Sequence, residues 1–363
     1  MSPHESHMRL ALELARRPTR PPYPNPWVGC VIVKQGRIVG RGWHNGPGTR
    51  HAEVVALAQA GPRARGAVVY VTLEPCCHYG RTPPCTDALI RAGVSEVVFA
   101  LRDPNPQVAG RGARLLRAQG IKVTSGPCAA EARALNEVYL KFRDTGLPFV
   151  SIKVAASLDG KTATRAGHSQ WITDPAARQR GRQLRAGHQA VLVGITTVLK
   201  DDPHLGPRIR GAPDPWRIVL DSSLRTPPRS QVVRTGRCII ACARAASPQR
   251  QSRLEKQGVQ VWRFPGRQVP LRRLLTQLAN HGIISVLVEG GSEVLGSFFD
   301  NGLVDRAYWF LSPRILGSQS ARSAIGGEGV ARPAQATQLQ QPKIAPVGRG
   351  WLLTGAVCPK ARE

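Results

Sequence analysis

His51-Ala52-Glu53 and, further along, Thr72-Leu-Glu-Pro-Cys-Cys-His-Tyr-Gly-Arg-Thr-Pro-Pro-Cys85 are the two stretches that decide the fold of the first part of this chain. One imidazole and two thiolates are ligands that zinc prefers, and three protein ligands leave the fourth tetrahedral position open for water. Water bound there loses a proton near neutral pH and can attack an electron-poor carbon. We therefore predict a catalytic zinc site formed by His51, Cys76 and Cys85.

Glu53 follows the histidine by two residues, which lets it carry protons without binding the metal. The helix dipole alone also favours a glutamate in a first turn, but the spacing from His51 favours the catalytic, proton-carrying role. Cys76 and Cys77 compete for one ligand position, and we assign Cys76 because the position after Pro75 matches that of the ligand in the family that this part of the chain resembles. Zinc deaminases of nucleobases combine a histidine, a glutamate and cysteines in this way.

The length and composition of the chain suit two folded domains. It has 363 residues, of which 42% are hydrophobic, enough for each domain to bury its own core. No apolar run approaches the roughly 18–20 residues needed to span a membrane, and no basic-then-apolar signal opens the chain. We therefore expect a cytoplasmic protein without membrane contact. Disulfides are rare in that compartment, so buried free thiols are expected at Cys30, Cys128, Cys238, Cys242 and Cys358.

The formal net charge of +28 is large, and 42 of the 51 basic residues are arginines. Binding of nucleic acid requires clustered basic groups. The excess here is spread along the chain, and no stripe of basic and aromatic residues appears. A general arginine bias, with sites for phosphorylated small molecules, is the favoured interpretation, and we expect no nucleic-acid partner.

Apolar runs alternate with helical patterns in both halves, which predicts an α/β fold. The first half is expected to contain helix 7–17, the hairpin strands 28–33 and 38–43, helix 53–60, strand 67–72, helix 87–92, strand 94–100, helix 112–119 and strand 121–124. The second half is expected to contain strands 149–155, 190–194, 217–221, 237–242 and 284–288, with helices 270–280 and 293–301. We place the domain boundary after a linker, which gives one domain at 1–146 and a second at 147–363.

Eight residues separate Cys76 from Cys85, whereas many deaminases separate their cysteines by two. Together with Pro24-Asn25-Pro26-x-Val28-Gly29-Cys30 and Asp103-Pro104-Asn105-Pro106, this gap resembles the deaminase half of the bifunctional deaminase/reductases of riboflavin biosynthesis. The resemblance implies an N-terminal cytidine-deaminase-like three-layer domain. It also implies that Asn25 contacts a pyrimidine substrate.

Four other residues near this motif are left open. Glu74 receives no role. His44, His78 and Arg81 either hold a phosphate-bearing substrate or are solvated loop residues.

The second half carries its own series of motifs. In chain order these are Ser157-Leu-Asp-Gly-Lys161, Gly167-x-Ser169-x-Trp171, Leu184-Arg185-Ala186, Gly194-x-x-Thr197, Asp201-Asp202-Pro203-x-Leu205, Val288-Glu289-Gly290-Gly291-Ser292 and Gly302-Leu303-Val304-Asp305. The series resembles the reductase half of the same family, which implies a dihydrofolate-reductase-like α/β domain. A Glu-Gly-Gly-Ser segment after a strand lets backbone amides approach phosphate at a helix N-terminus. No G-x-G-x-x-G fingerprint occurs, so we do not expect a Rossmann domain.

The resemblance implies two cofactors, Zn²⁺ in the first domain and NADPH in the second. It implies NADPH contacts at Ala155, Trp171, Thr197, Asp201, Gly291, Ser292, Glu293, Val294, Leu295, Gly296 and Ser297. It implies substrate contacts at Ser169, Arg185, Leu205, Arg208 and Glu289. Guanidinium groups bind phosphate oxygens in pairs, which suits Arg185 and Arg208 to a ribose phosphate. Lys153 either assists catalysis or is a charge at a strand edge.

The resemblance further implies the two reactions. The first is hydrolytic deamination of 2,5-diamino-6-ribosylamino-4(3H)-pyrimidinone 5′-phosphate, and the second is NADPH-dependent reduction of the ribosyl group of 5-amino-6-(5-phosphoribosylamino)uracil to ribityl. A homodimer or homotetramer formed through the second domain is expected from the family. His188-Gln189 and Gly206 depart from the family pattern, because acidic and hydroxyl-bearing residues are expected there.

Two other functions fit the sequence less well. A nucleic-acid deaminase with an accessory domain agrees with the basic charge but not with the eight-residue cysteine gap. A zinc-stapled binding module requires a fourth protein ligand, for which Cys77 or His78 is available.

Overall fold

In the computed structural model, residues 2–80 and 82–358 are described, and the chain divides into two units between Gly146 and Leu147. The first unit contains helices α1 (Pro3–Ala15), α2 (Ala52–Ala60), α3 (Cys85–Ala92), α4 (Arg111–Ala118), α5 (Ala129–Leu135) and α6 (Glu137–Thr145). Its strands are β1 (Gly29–Lys34), β2 (Arg37–Trp43), β3 (Val68–Leu73), β4 (Glu96–Leu101) and β5 (Lys122–Ser125). They form one sheet in the order β2-β1-β3-β4-β5. β1 pairs antiparallel with β2 and β3, while β3, β4 and β5 run parallel.

Two glycines show how helices cover both faces of this sheet. A Cβ at Gly29 would lie 1.9 Å from the carbonyl oxygen of Ala11 in α1, and a Cβ at Gly42 would lie 2.1 Å from that of Ala52 in α2. Gly42 pairs with Cys30, the neighbour of Gly29, and neighbouring residues of a strand face opposite sides. Helices α1 and α2 therefore pack closely on opposite faces, which gives three layers.

The second unit is built on a nine-stranded sheet. Its strands are β6 (Phe149–Ser157), β7 (Ala190–Gly194), β8 (Trp216–Leu220), β9 (Cys238–Ala243), β10 (Gln260–Phe264), β11 (Ser285–Gly290), β12 (Arg306–Ser312), β13 (Leu339–Val347) and β14 (Gly350–Val357). Its helices are α7 (Pro175–Ala186), α8 (Ile195–Asp201), α9 (Gln231–Arg234), α10 (Pro248–Glu255), α11 (Leu271–Asn280) and α12 (Ser292–Asp300).

The strand order is β10-β9-β8-β7-β11-β6-β12-β14-β13. The strands from β10 to β12 run parallel, and β14 and β13 complete the sheet as an antiparallel hairpin. Alternate residues of β7 enter different cores, since Leu192 packs with one buried cluster and Val191 and Val193 with another. Apolar cores thus lie on both faces, as expected for a parallel sheet covered by helices.

The expectation for the cysteines is confirmed in part. All eight are free, and Cys30, Cys238 and Cys242 are buried. Cys128 and Cys358 are partly exposed, which corrects the expectation of burial, because one caps a surface helix and the other follows the last strand. No helix among the described residues combines the length and the apolar character that crossing a bilayer would require.

Candidate active sites

The three predicted zinc ligands meet at one point of the first unit. His51 is the N-cap of α2, Cys85 is the first residue of α3, and Cys76 lies in the loop after β3. Nδ1 of His51 is 3.2 Å from Sγ of Cys85 and 3.5 Å from Sγ of Cys76. Bonds of about 2.0 Å to nitrogen and about 2.3 Å to sulfur in a tetrahedral site imply ligand separations of roughly 3.6 Å. The donor set and its spacing therefore fit a zinc ion.

The two candidates for a fourth ligand lie outside this cluster. Within the described ranges, the group of potential ligand atoms that lie within 4.8 Å of one another contains His51, Cys76 and Cys85 only. The thiol of Cys77 instead faces the carbonyl oxygen of Gln107 at 3.5 Å. The arrangement suits an open, catalytic site better than a closed, structural one.

Thr82 holds the other side of the histidine ring. Its Oγ1 is 3.2 Å from Nε2 of His51, so with Nδ1 turned to the two sulfurs the Nε2–H donates to this hydroxyl. A second hydrogen bond of this kind orients a metal-binding histidine and fixes its tautomer. The spacing of the ligands gave no signal for this role of Thr82.

Glu53 lies beside the cluster in the first turn of α2 and is 4% exposed. Burial and the charge of Cys76 raise the pKa of its carboxyl group, against the opposing effect of His51. The adjacent thiol of Cys85 and the nearby ring of His51 lower the pKa of the Cys76 thiol to about 4. An acidic thiol and a buried carboxyl group of raised pKa therefore lie close together.

Asn25 contacts His44, whose ring lies beside that of the predicted ligand His51. Nδ2 of Asn25 is 2.9 Å from Nε2 of His44, and Nδ1 of that ring is 3.2 Å from the carbonyl oxygen of Arg50. Because a carbonyl can only accept, Nδ1 of His44 carries the proton and Nε2 accepts from Asn25. The ring of His44 packs edge-on against that of His51, with 5.2 Å between centroids. Arg81 lies outside the described residues.

Glu74, left open by the sequence, accepts hydrogen bonds from two backbone amides. These come from Gly110 at 2.9 Å and Ala113 at 3.0 Å, and the carboxylate is 3% exposed. Gly112 lies against the same loop, where a Cβ would be 2.3 Å from the carbonyl oxygen of Pro75. Glu74 thus fixes the Pro-Cys loop to the start of α4.

The second unit contains a cavity of about 740 Å³. It lies near the carboxyl ends of β6, β7 and β11, where the strand order departs from the chain order. Ligands of open α/β sheets bind at such positions. Twelve of the sixteen residues that the resemblance assigned to NADPH or substrate line it, namely Ala155, Ser169, Trp171, Arg185, Thr197, Asp201, Leu205, Arg208, Glu289, Gly291, Ser292 and Leu295.

The other four assigned residues, Glu293, Val294, Gly296 and Ser297, are on α12 but not in the lining of the cavity. A helix turns successive residues to different sides. Gly296 packs against the 326–327 backbone, and a Cβ there would be 2.1 Å from the carbonyl oxygen of Gly326. Of residues 291–297, only Gly291, Ser292 and Leu295 therefore line the cavity.

Gly291 is the N-cap of α12 and has a φ of 83°, a conformation that glycine adopts readily. The first amides of a nine-residue helix start here beside the cavity. Free amides and the helix dipole make such an end suited to phosphate. The Glu-Gly-Gly-Ser segment thus ends β11 and begins α12 beside the cavity.

Arg185 and Glu289 bind each other within the cavity wall. Nε and Nη2 of Arg185 donate to the two carboxylate oxygens at 2.6 and 2.8 Å, and Nη1 donates to the carbonyl oxygen of Gly206 at 3.2 Å. Nζ of Lys153 lies 3.6 Å from Glu289. Sequence reasoning placed Arg185 and Glu289 in one site but missed that they pair.

The unusual residues His188 and Gln189 join secondary structure elements. Nδ1 of His188 donates to the carbonyl oxygen of Leu184 at 2.7 Å, and Nε2 is 2.9 Å from the hydroxyl of Ser151 on β6. Burial lowers the pKa of His188. The amide of Gln189 bonds to the 282–284 backbone before β11. Neither residue is part of the cavity lining.

Comparisons with known proteins match both halves of the chain. The family model for the cytidine and deoxycytidylate deaminase zinc-binding region matches residues 1–101, and that for the RibD C-terminal domain matches residues 148–353. The riboflavin biosynthesis protein RibD of Bacillus amyloliquefaciens is 42% identical over 353 residues, covering 96% of this chain and 95% of that protein. RibD of Escherichia coli K12 is 43% identical, with 95% and 96% covered.

Solved structures give the same result. A structure of Acinetobacter baumannii RibD superposes with a TM-score of 0.89 at 38% identity, covering 98% of this chain and 99% of that one. A Thermotoga maritima diaminohydroxyphosphoribosylaminopyrimidine deaminase/5-amino-6-(5-phosphoribosylamino)uracil reductase superposes with a TM-score of 0.82 at 33% identity, covering 98% and 99%.

The fold and sites define a zinc-dependent deaminase joined to a reductase, and the predicted fold class is confirmed. The chain belongs to the RibD family of riboflavin biosynthesis proteins. It is therefore a bifunctional deaminase and reductase of that pathway, whose cofactors are zinc and NADPH.

Proposed function

We propose that the first site deaminates 2,5-diamino-6-ribosylamino-4(3H)-pyrimidinone 5′-phosphate and that the second reduces the resulting 5-amino-6-(5-phosphoribosylamino)uracil. These substrates correspond to the deaminase and reductase activities for which the Thermotoga maritima enzyme is named. The observation that carries the proposal is the convergence of one imidazole nitrogen and two thiol sulfurs within 4.8 Å beside a buried glutamate.

In the first site, His51, Cys76 and Cys85 hold the zinc ion, which when bound supplies an activated water through its open position. Glu53 would accept one proton of that water and pass it to the ring nitrogen, and would then take the second proton, from the newly added hydroxyl, and pass it to the amino group, which leaves as ammonia. Its carboxyl group suits this role because it is buried next to the ligands without belonging to the ligand set. General acid–base transfer of this kind contributes about 10²–10⁴-fold to a rate.

Asn25 orients the pyrimidine. Because its Nδ2 donates to His44, its Oδ1 is available to accept from an N–H group of the substrate. His44, fixed by the carbonyl oxygen of Arg50, thereby determines which way the Asn25 amide faces.

In the second site, the start of α12 with Gly291 and Ser292 cradles the phosphates of NADPH. Ala155, Trp171, Thr197, Asp201 and Leu295 complete the cofactor contacts. When bound, NADPH supplies the hydride that reduces C1′ of the ring-opened ribose. The residues of the chain bind, orient and balance charge around that step.

The charge of the cavity supports two phosphorylated ligands. Eight basic residues and three acidic ones line it; the basic residues are Lys153, Arg165, Arg178, Arg182, Arg185, Lys200, Arg208 and Arg322. Ser169, Leu205, Arg208 and the Arg185–Glu289 pair form the substrate side. The net positive charge of this lining attracts anionic substrates to the cavity.

We further propose that the protein works in the cytoplasm, where its free thiols stay reduced. We also propose a homodimer or homotetramer formed through the second unit. The outer strand β13 supports this, because Ile344 on it is 68% exposed. Light scattering of the purified protein tests the oligomeric state, and a monomer at micromolar concentration would contradict it.

The decisive experiment incubates purified protein with the diaminopyrimidinone phosphate, with and without NADPH. Ammonia release without NADPH, followed by NADPH oxidation only after deamination, is the expected pattern. Absence of ammonia release from zinc-loaded protein would overturn the proposal for the first site. Absence of NADPH oxidation with supplied 5-amino-6-(5-phosphoribosylamino)uracil would overturn the proposal for the second site.

A further inference from the structure

His204 lies on the cavity wall together with Leu205 and Arg208. It occupies the unspecified position of the Asp-Asp-Pro-x-Leu motif, so the motif assigns it no role. Two residues further on is Gly206, where a hydroxyl-bearing residue was expected. His204 and Gly206 are in direct contact in the structure as well.

The backbone N–H of Gly206 donates a hydrogen bond to Nδ1 of His204 at 3.1 Å. A ring nitrogen that accepts carries no proton, so the neutral imidazole has its proton on Nε2. Burial and the positive charges of Arg217 and Arg208 lower the pKa of His204, which favours the neutral ring. Within the described part of the chain, no hydrogen bond is made by Nε2.

The position of the ring depends on the glycine. A Cβ at residue 206 would lie 2.6 Å from Cε1 and 2.7 Å from Nδ1 of His204. Because atoms cannot approach this closely, any side chain at 206 would displace the imidazole. The glycine therefore both leaves room for the ring and fixes the nitrogen that bears its proton.

The segment that carries the ring of His204 is fixed by a buried arginine and contains several residues with positive φ. Arg217, fully buried and paired with Asp214, donates from Nε to the carbonyl oxygen of His204 at 3.4 Å. Asp202, Leu205 and Arg208 have positive φ values of 35°, 56° and 51°. Residues other than glycine adopt such values at a cost, and they concentrate at functional sites.

We propose that the Nε2–H of His204 donates a hydrogen bond to the 5′-phosphate of the reductase substrate, beside the guanidinium of Arg208, and so replaces a hydroxyl at position 206. The proposal rests on the proposed function of the second site. Arg185 cannot take over this contact without giving up Glu289 or the Gly206 carbonyl. On this part of the cavity wall, Arg208 and His204 therefore remain as donors to the phosphate.

The test measures steady-state reduction of 5-amino-6-(5-phosphoribosylamino)uracil by NADPH in the wild type, His204→Ala, Gly206→Ala and the double variant. His204→Ala should raise the KM for this substrate about ten-fold, as expected for loss of a hydrogen bond to a charged group. The kcat and the KM for NADPH should change less than about two-fold, because the lost contact is remote from the transferred hydride. The same substrate without its phosphate should be reduced equally by wild type and variant.

Gly206→Ala should raise the same KM by a similar factor, because the new Cβ displaces the ring. In the double variant the two effects should not add, since both act through one imidazole. An unchanged KM in His204→Ala, an equal loss with the dephosphorylated substrate, or additive effects would overturn the proposal. Failure of the wild type to reduce the intermediate would instead refute the proposed function itself.

Discussion

Arg185 and Glu289 form a bidentate ion pair in the wall of the reductase cavity, with 2.6 Å between Nε and Oε1 and 2.8 Å between Nη2 and Oε2. The side chain of Glu289 is 5% exposed and that of Arg185 is 20% exposed. Two parallel N–H···O bonds fix the orientation of both groups. The pair therefore acts as one rigid part of the cavity wall.

This pair predicts a specific loss of stability in acid. Burial alone would raise the pKa of Glu289, but the charges of Arg185 and Lys153 lower it to about 2. A carboxyl group whose pKa is lower in the folded than in the unfolded chain stabilises the fold above its unfolded pKa, near 4.5. We expect the unfolding free energy of the second domain to lose about 3 kcal/mol as the pH falls from 4.5 towards 2.

Other carboxylates also titrate in this range, so Glu289→Gln is the matched control. Denaturant unfolding from about pH 2 to about pH 7 should show a shallower dependence on pH in that variant. Equal slopes in the two proteins would show that the pair does not control acid stability.

Glu53→Gln should separate the two activities. Glutamine has nearly the same shape but cannot accept the proton, so ammonia release should fall by about 10²–10⁴-fold. Reduction of supplied deaminated intermediate should keep the wild-type rate. If both activities disappear in folded protein, the assignment of Glu53 to one of two independent sites is wrong.

The neighbouring cysteines offer a test of the zinc ligands. Cys76→Ser should lose bound zinc, because Sγ of Cys76 lies 3.5 Å from Nδ1 of His51. Cys77→Ser should keep about one zinc per chain, since that thiol faces Gln107. Elemental analysis after exhaustive dialysis measures both, and the reverse pattern would make Cys77 the ligand.

Thr82→Val should weaken zinc binding about 10–100-fold, because it removes the acceptor that orients the ring of His51. Competition with a chromophoric chelator measures this affinity without any assay of activity. Thr86→Val is the control, since the buried Oγ1 of Thr86 has no hydrogen-bond partner among the described residues. Equal affinities in the two variants would contradict the role of Thr82.

Most elements of the first unit were predictable from sequence because local patterns mark them. The prediction of helix 7–17 missed its beginning at Pro3, where Ser2 and Glu5 form a capping box. Strands β10, β12, β13 and β14 of the second unit were not predicted. β13 is mostly exposed and contains Pro346, so it lacks the alternation of apolar residues that indicates a strand.

The sequence alone determined the chemistry of the first site. One histidine, one glutamate and two cysteines in a fixed spacing suffice, because zinc selects ligands by type and count. It likewise determined the family-like order of the reductase motifs.

Only the tertiary structure decided which hydrogen-bond and ion-pair partners the charged and polar side chains have. Arg185 binds Glu289 across 104 positions of the chain, and Thr82 reaches the ring of His51 across 31. Such contacts depend on distance and direction in space, which residue spacing does not encode. For the same reason, the sequence motif did not show which of residues 291–297 face the cavity. The helical rotation of successive residues in α12 decides this.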